Sequence, residues 1–339
     1  MQRRLPVGKL EPEFLAELLG GLSITDPAVI VGPGVGRDVT VLEWGTGDSY
    51  LIAKTDPITF ATDEIGYYAV AVNANDVATS GGVPRWFLAT LLLPDDASDD
   101  ALVRTIFDQI NAACRDLGIA LVGGHTEVTW GLDRPLLVGF MLGEVPKDAL
   151  ISSDGAQVGD RLLLTKRVAV EGTSIIAREM GERLNDAGFE AETIERAKHF
   201  LHDPGINVLR DAQIAVNAGE VHAMHDPTEG GLATGLHELA IASGNGVAVR
   251  LDDIPVYPET EQFCEVLGLE PLGLIASGSL LLAVSADSAG GIITACREEG
   301  VECAEIGEVV EERHGIRIRR GLSWMDLPRY DQDEIAKLF

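Results

Sequence analysis

Three acidic residues in the first half of the chain stand where a divalent cation and a phosphate could be held: Asp38, Asp56 and Asp76. Asp38 opens a strand-like run, Asp56 closes another in Thr55-Asp56-Pro57, and Asp76 lies on an Ala/Val-rich helical stretch over 69–78. On that stretch Asn73, Asp76 and Ser80 recur at helical spacing and share one face. Polar groups on an otherwise apolar helix are costly to bury without partners. They form either a solvent-facing or loop-bonded stripe or part of a Mg²⁺–phosphate site, because Mg²⁺ takes a few carboxylates together with phosphate oxygens and water.

Two glycine pairs mark further candidates. In Val122-Gly123-Gly124-His125-Thr126-Glu127 a strand end breaks into a double-glycine turn beside polar side chains. This is either a ligand position or a hairpin turn with a satisfied histidine. In His225-Asp226-Pro227-Thr228-Glu229-Gly230-Gly231-Leu232-Ala233, Thr228 can cap the helix that follows. Gly230-Gly231 leaves that helix N-terminus open to an anion. His222 and His225 are near enough to suggest a metal pair, but no third ligand has suitable spacing. Gly32-Pro33-Gly34-Val35-Gly36 looks like a nucleotide loop until the next residues are read: they are extended, whereas a dinucleotide fingerprint opens a helix. His125 and Lys166 are acceptor-side candidates, with Lys166 equally readable as a solvated strand-end lysine.

The elements that must position these groups are those of a mixed α/β chain. An apolar stripe over 11–19 predicts a first helix that stops at Gly20-Gly21, and strands follow at 28–31, 39–43 and 50–54. Asp63 is placed to cap a helix over 64–80, a strand follows at 86–93, and Ser98 is placed to cap a helix reaching about 117. Strands at 119–122 and 136–142 complete a domain ending near 150, and 151–156 has the turn chemistry of a linker. Beyond it come a strand at 160–165, helices near 171–181, 190–201, 206–218 and 230–243, and strands near 221, 247–251, 278–284 and 304–309. Strands fall in groups rather than in strict βαβ alternation, which favours two α+β halves.

Composition limits the functions open to such a chain. With 26 Lys+Arg against 54 Asp+Glu, the net charge of −28 argues against nucleic-acid binding, which depends on basic residues. It leaves room for a nucleotide enzyme, where a metal and a few local groups neutralise phosphate. Cys114, Cys264, Cys296 and Cys303 show no zinc spacing and read as reduced thiols. No signal peptide or stretch long enough to cross a membrane is visible, so a soluble cytoplasmic protein is expected.

Taken in order, these motifs resemble the PurM superfamily of AIR (aminoimidazole ribonucleotide) synthases, thiamine-monophosphate kinases, selenophosphate synthetases and HypE-type hydrogenase-maturation proteins, the HypE type most of all. The resemblance runs over nearly the whole chain. It is carried by Gly8-Lys9-Leu10, Arg37-Asp38-Val39-Thr40-Val41, Thr55-Asp56, the Asn73–Asp76 helix with Gly82-Val83-Pro84, and Gly123-Gly124. In the second half it rests on the 225–233 motif, Ile254-Pro255-Val256, the 264–269 segment and Ile306-Gly307-Glu308-Val309.

The resemblance implies a two-domain PurM-like architecture of mixed α/β (α+β) class. Residues 1–150 would bind ATP and Mg²⁺ and form a homodimer through their sheet, 155–312 would be an α/β domain over a cleft, and 313–339 a C-terminal tail. It implies that ATP with Mg²⁺ activates a substrate oxygen or related acceptor, on a small molecule or a protein. Carried over residue by residue, Asp38, Asp56 and Asp76 would hold Mg²⁺, with Asn73 and Gly123-Gly124 near the phosphates. Lys9 would be a mobile phosphate partner and Asp226 with Gly230-Gly231 would face the substrate, while His125 and Glu127 stand where the HypE type has Asp and Lys. HypE-type chains end in Pro-Arg-x-Cys; here the matching stretch is Leu327-Pro328-Arg329-Tyr330-Asp331, so no C-terminal thiocyanate is expected. Arg37 also replaces the first of the family's paired acids. Alternatives are a non-catalytic nucleotide sensor or assembly partner on the same fold, and a phosphotransferase of the thiamine-monophosphate-kinase or selenophosphate-synthetase kind. A purely structural dimer is a third.

Overall fold

The computed structural model describes residues 9–59, 63–330 and 332–339. Helix α1 (Pro12–Gly20) is followed by β1 (Val29–Val31), β2 (Thr40–Glu43), β3 (Ser49–Ile58), α2 (Ile65–Thr79), β4 (Val83–Pro94), α3 (Asp100–Asp116), β5 (Ala120–Thr129) and β6 (Leu136–Pro146). The second half runs β7 (Arg161–Thr165), α4 (Val170–Glu179), α5 (Gly181–Asp186), α6 (Ala191–Lys198), α7 (Leu209–Ala218), β8 (Val221–His225), α8 (Gly231–Ser243) and β9 (Gly246–Arg250). It finishes with α9 (Pro258–Leu267), β10 (Leu281–Val284), α10 (Ala286–Glu298), β11 (Cys303–Val310), β12 (Ile316–Arg320) and β13 (Ser323–Asp326). The chain divides into two compact units: one of residues 24–32 and 38–150, the other of residues up to 23, 33–37 and from 151 onward.

The first unit is a sheet ordered β1-β2-β3-β6-β4-β5, antiparallel except for the β4–β5 pair. Alternate residues of β6 explain its two faces. Leu137, Gly139, Met141, Gly143 and Val145 are buried, whereas Val138, Phe140 and Leu142 on the other face are only half-covered or exposed. Helix α2 lies on the buried face, and its burial is nearly complete along its whole length. It has no polar side to offer solvent, so Asn73, Asp76 and Ser80 are enclosed at 0%, 3% and 3% exposure. The solvent-facing stripe is thereby excluded.

Local punctuation differs from the sequence expectation at several points. Asp99, not Ser98, caps α3, its side chain accepting the Leu102 N–H at 2.8 Å. Glu64, not Asp63, stands at the start of α2, in the left-handed region with φ 56°. Strand β3 continues past Asp56 to Ile58. Gly123-Gly124 is no turn: both residues lie within β5, paired with Leu88 and Ala89 of β4. A side chain at Gly124 would collide with the Ala89 carbonyl, so glycine serves close strand approach there.

The second unit holds a sheet ordered β13-β12-β9-β11-β7-β10-β8. Its central strands are apolar on both faces, as in β7 and β10, which have almost no exposed residue. The segment 313–339 contributes β12 and β13 to this sheet. No helix among the described residues is long and apolar enough to cross a membrane.

Candidate active site

In the first unit, alternation along β3 puts Lys54 and Asp56 on the face that meets α2. One turn of α2 beyond Asn73, Asp76 points at the same place. The Lys54 ammonium lies 3.2 Å from Asp56 Oδ2 and 3.1 Å from Asp76 Oδ2. Asp76 is nearly enclosed, at 4% side-chain exposure, while Asp56 is open at 33%. Asn73 fixes the spacing of the two elements: its Oδ1 accepts the Asp56 N–H at 2.9 Å, and its Nδ2 donates to the Ala69 carbonyl at 2.8 Å and the Asp56 carbonyl at 3.3 Å. Gly139 makes room for this. It stands opposite Asp56 in the ladder, and a Cβ there would run into the Asn73 amide.

Two carboxylates directed at one cation fit a magnesium site well. Mg²⁺ is ordinarily held by one or two protein carboxylates, the remaining positions going to water and phosphate. The structure brings Asp56 and Asp76 together; Asp38, half-buried, lies two residues ahead of β2 in the same unit. Lys54 was missed by the sequence reading, although its position two residues before Asp56 in an alternating strand was the available signal.

His125 and Glu127 sit on β5, exposed, with Nε2 3.4 Å from Oε2. Gly123, Gly124 and His125 line a pocket of about 440 Å³ together with Phe107 and Leu121.

In the second unit, β8 delivers His225 and Asp226, at 4% and 1% exposure, to the start of α8. His225 Nε2 makes a 2.8 Å hydrogen bond with Glu238 Oε2, and the Lys9 ammonium lies 3.5 Å from Glu238 Oε1. Gly235 leaves space for the imidazole, since a Cβ there would touch His225 and Pro227. Burial alone would raise the Glu238 carboxyl; the Lys9 charge and the His225 bond outweigh it and bring it down to about 2. The Lys9 backbone N–H donates to Glu229 at 3.0 Å. His222, three residues before His225, turns instead to Asp160 at 2.8 Å, so the two histidines hold separate carboxylates.

Gly230 is the residue before α8, with φ 79° and no side chain to cap with; the Thr228 cap does not form. The Gly230 N–H donates instead to Asp333 Oδ2 at 2.6 Å. Gly231 is pressed against the Leu272 and Leu274 carbonyls, where a Cβ could not fit. Lys166 is buried rather than solvated, donating to the Asn207 carbonyl at 2.7 Å beside Asp211. Its burial lowers the ammonium's proton affinity. Arg37 pairs with Asp154 at 3.3 Å, both well exposed.

Two domain models of the AIR synthase related proteins match the chain, the N-terminal one over residues 36–145 and the C-terminal one over 157–319. The chain belongs to the AIR synthase related family. Among curated members, the carbamoyl dehydratase HypE of Cupriavidus necator is 33% identical over 287 residues, covering 80% of this chain and 78% of that one. A solved E. coli HypE superposes with a TM-score of 0.72 at 26% identity, covering 92% and 96% of the two chains. A HypE solved in complex with ATP gives 0.72 at 24% identity, covering 92% of each, and shares the fold. The PurM-like two-domain fold expected for the AIR synthase related family is therefore present.

Proposed function

We propose that this family member is a cytoplasmic ATP- and Mg²⁺-dependent enzyme that activates an oxygen or related acceptor of its substrate by phosphorylation. The observation that carries the reading is the convergence of Asp56 and Asp76 on one cationic centre, beneath a strand and a helix locked together by Asn73. Mg²⁺ bound there would neutralise phosphate charge, which is most of what phosphoryl transfer demands of a protein. Asp76, buried and rigid on α2, would be the fixed ligand. Asp56, more open, would be the adjustable one, and Asp38 a further ligand. The ATP carried by a related HypE and the kinship with carbamoyl dehydratases support nucleotide use of this kind. Lys9, half-exposed on its Glu238 anchor, would move to phosphate, and Asp226 with Gly230-Gly231 would face the substrate. Gly123-Gly124 would lie near the phosphates, and His125 on the acceptor side. The test is a thermal shift: Mg²⁺–ATP raises the melting temperature of the parent, and Asp56→Asn with Asp76→Asn abolishes the rise. A shift that survives in the double variant removes the metal assignment.

The working form proposed is a homodimer through the first sheet. Its helix-free face offers half-covered Leu88, Leu92 and Val138 and exposed Phe140. A nucleotide sensor without turnover is the second reading. It is favoured by Arg37, which stands in place of an acid and is engaged with Asp154. Sustained ADP release with a candidate substrate eliminates it.

A further inference from the structure

The N–H group that the sequence offers to a substrate anion already has an anion on it, supplied by the chain. Asp333 is 3% exposed, and its carboxylate accepts three backbone N–H groups: Gly230 at 2.6 Å, Ile335 at 2.8 Å and Ile275 at 3.3 Å. Two of these donors, Gly230 and Ile275, lie outside the C-terminal segment and would stay behind if it left; Ile335 belongs to the segment itself. Such a convergence of main-chain donors at a helix start is what binds phosphates and carboxylates in general. We propose that residues 332–339 are an autoinhibitory strap whose Asp333 carboxylate occupies the phosphate seat at the start of α8 and must leave before a ligand phosphate enters.

Asp333 is the N-cap of the short helix Glu334–Leu338 that follows it, but towards α8 it is no local cap. A local cap comes from the residue preceding the helix; here that residue is glycine, and the carboxylate comes from 103 positions away. The seat is a poor home for this particular occupant. Burial pushes the Asp333 carboxyl up to about 6 in spite of the three N–H groups. Beside it, Glu171 at the start of α4 is 5% exposed, and among the described residues none donates a hydrogen bond to its Oε2. A hydrogen phosphate brings acceptors for the N–H groups and also a hydroxyl that such an oxygen can accept; a carboxylate brings only the first. Asp333 and Glu229 both press their charge on Glu171, so the three acidic groups share one neighbourhood.

The strap is fastened through three successive buried residues, 333–335. Ile335 is fully buried, and Glu334 accepts the Glu270 N–H at 3.0 Å. Upstream of it, Arg329 reaches Glu13 at 2.9 Å, but both side chains are more than half exposed, so this pair adds little. A cavity of about 150 Å³ lies against the strap, lined by Lys9, Glu229, Gly230, Thr234, Tyr330 and Asp333. Lifting residues 332–339 joins that cavity to the vacated N–H groups and places Lys9 on its wall.

The inference rests on reading Gly230-Gly231 as a phosphate-binding helix start. It is tested by calorimetric titration of inorganic phosphate, with acetate as a control, into three proteins whose folding is checked by circular dichroism: the parent, Asp333→Asn, and a chain ending at Gln332. If the strap is docked in more than nine molecules of ten, the parent's apparent phosphate affinity is reduced at least about tenfold. Both variants should then bind phosphate at least about tenfold more tightly than the parent, with acetate gaining less. A synthetic peptide of residues 327–339 should compete with phosphate for the shortened chain. Phosphate affinity unchanged in both variants, or a peptide that binds without competing, overturns the proposal and leaves Asp333 a structural cap. Should Asp333→Asn fail to fold, the shortened chain and the peptide decide the matter. The Mg²⁺–ATP shift is recorded on the same proteins. Its loss everywhere would indict the enzyme reading, whereas its presence with unaltered phosphate affinity would indict the strap alone.

Discussion

Lys54 and Asp76 form an ion pair of 3.1 Å in which the carboxylate is 4% and the ammonium 15% exposed, with Asp56 at 3.2 Å on the other side. Lys54 thus stands where two carboxylates need a cation. In an enclosed pair of this kind, removing one partner costs more than the pair itself contributes, because the remaining charge stays buried.

Replacing Lys54 with Gln should therefore destabilise the protein by roughly 3 kcal/mol at neutral pH. Added Mg²⁺ should restore part of that loss, since the cation and the ammonium serve the same two carboxylates. Denaturant melts with and without Mg²⁺ measure both effects. A Mg²⁺-independent loss would show that the ion does not enter there.

Asn73→Ala should cost about 2–3 kcal/mol, since it strips the Asp56 N–H of its acceptor in a fully buried position and opens a hole over Gly139. Asn73→Asp should be no better, because it adds charge next to two carboxylates. Chemical denaturation reads the cost, and Mg²⁺ affinity should weaken in parallel as Asp56 loses its placement.

Glu171 and Glu238 should respond to pH with opposite signs. Burial raises the Glu171 carboxyl to about 7, against an unfolded value of 4.5. Its contribution is thus fully present below about pH 4.5 and is lost as pH rises through 7. Glu171→Gln should remove that decline, leaving the variant more stable than the parent at pH 8 by up to about 3 kcal/mol. Glu238, brought down to about 2, contributes above its unfolded value of 4.5, and that contribution is lost as pH falls towards 2. Glu238→Gln should flatten the acid limb and leave the alkaline one alone. Melting curves across pH for the two variants check the pattern.

Phe140→Asp puts a charge at the middle of the helix-free face of the first sheet, where Phe140 is 40% exposed. If that face joins two copies, the variant should run as a monomer in light scattering while keeping its circular dichroism. An unchanged mass would assign the interface elsewhere.

How much of this could be read from the residues depended on the range of the signal. The 3.6-residue period of the 69–78 stretch was enough to put Asn73 and Asp76 on one face, and the run from His225 to Ala233 marked the start of α8 from its glycines. Gly123-Gly124 was misread because a glycine pair is scored as a chain breaker. Its actual constraint, the approach of the Ala89 carbonyl, comes from a strand thirty-odd residues earlier. Ser98 and Asp63 each stood one residue from the observed helix starts, the usual slack of cap assignment. Asp333 and Glu238 gave no local sign, since each acquires its role only through partners brought close by folding.

The backbone of Lys9 finds Glu229 only after 220 further residues have been added to the chain, and its ammonium finds Glu238 later still. During synthesis the N-terminal segment must therefore wait, undocked, while the intervening 38–150 unit emerges and can fold ahead of it. The larger unit closes last, around a segment made before the smaller unit. Fragments stopping short of α8 should leave that segment accessible to protease however well the first sheet is formed.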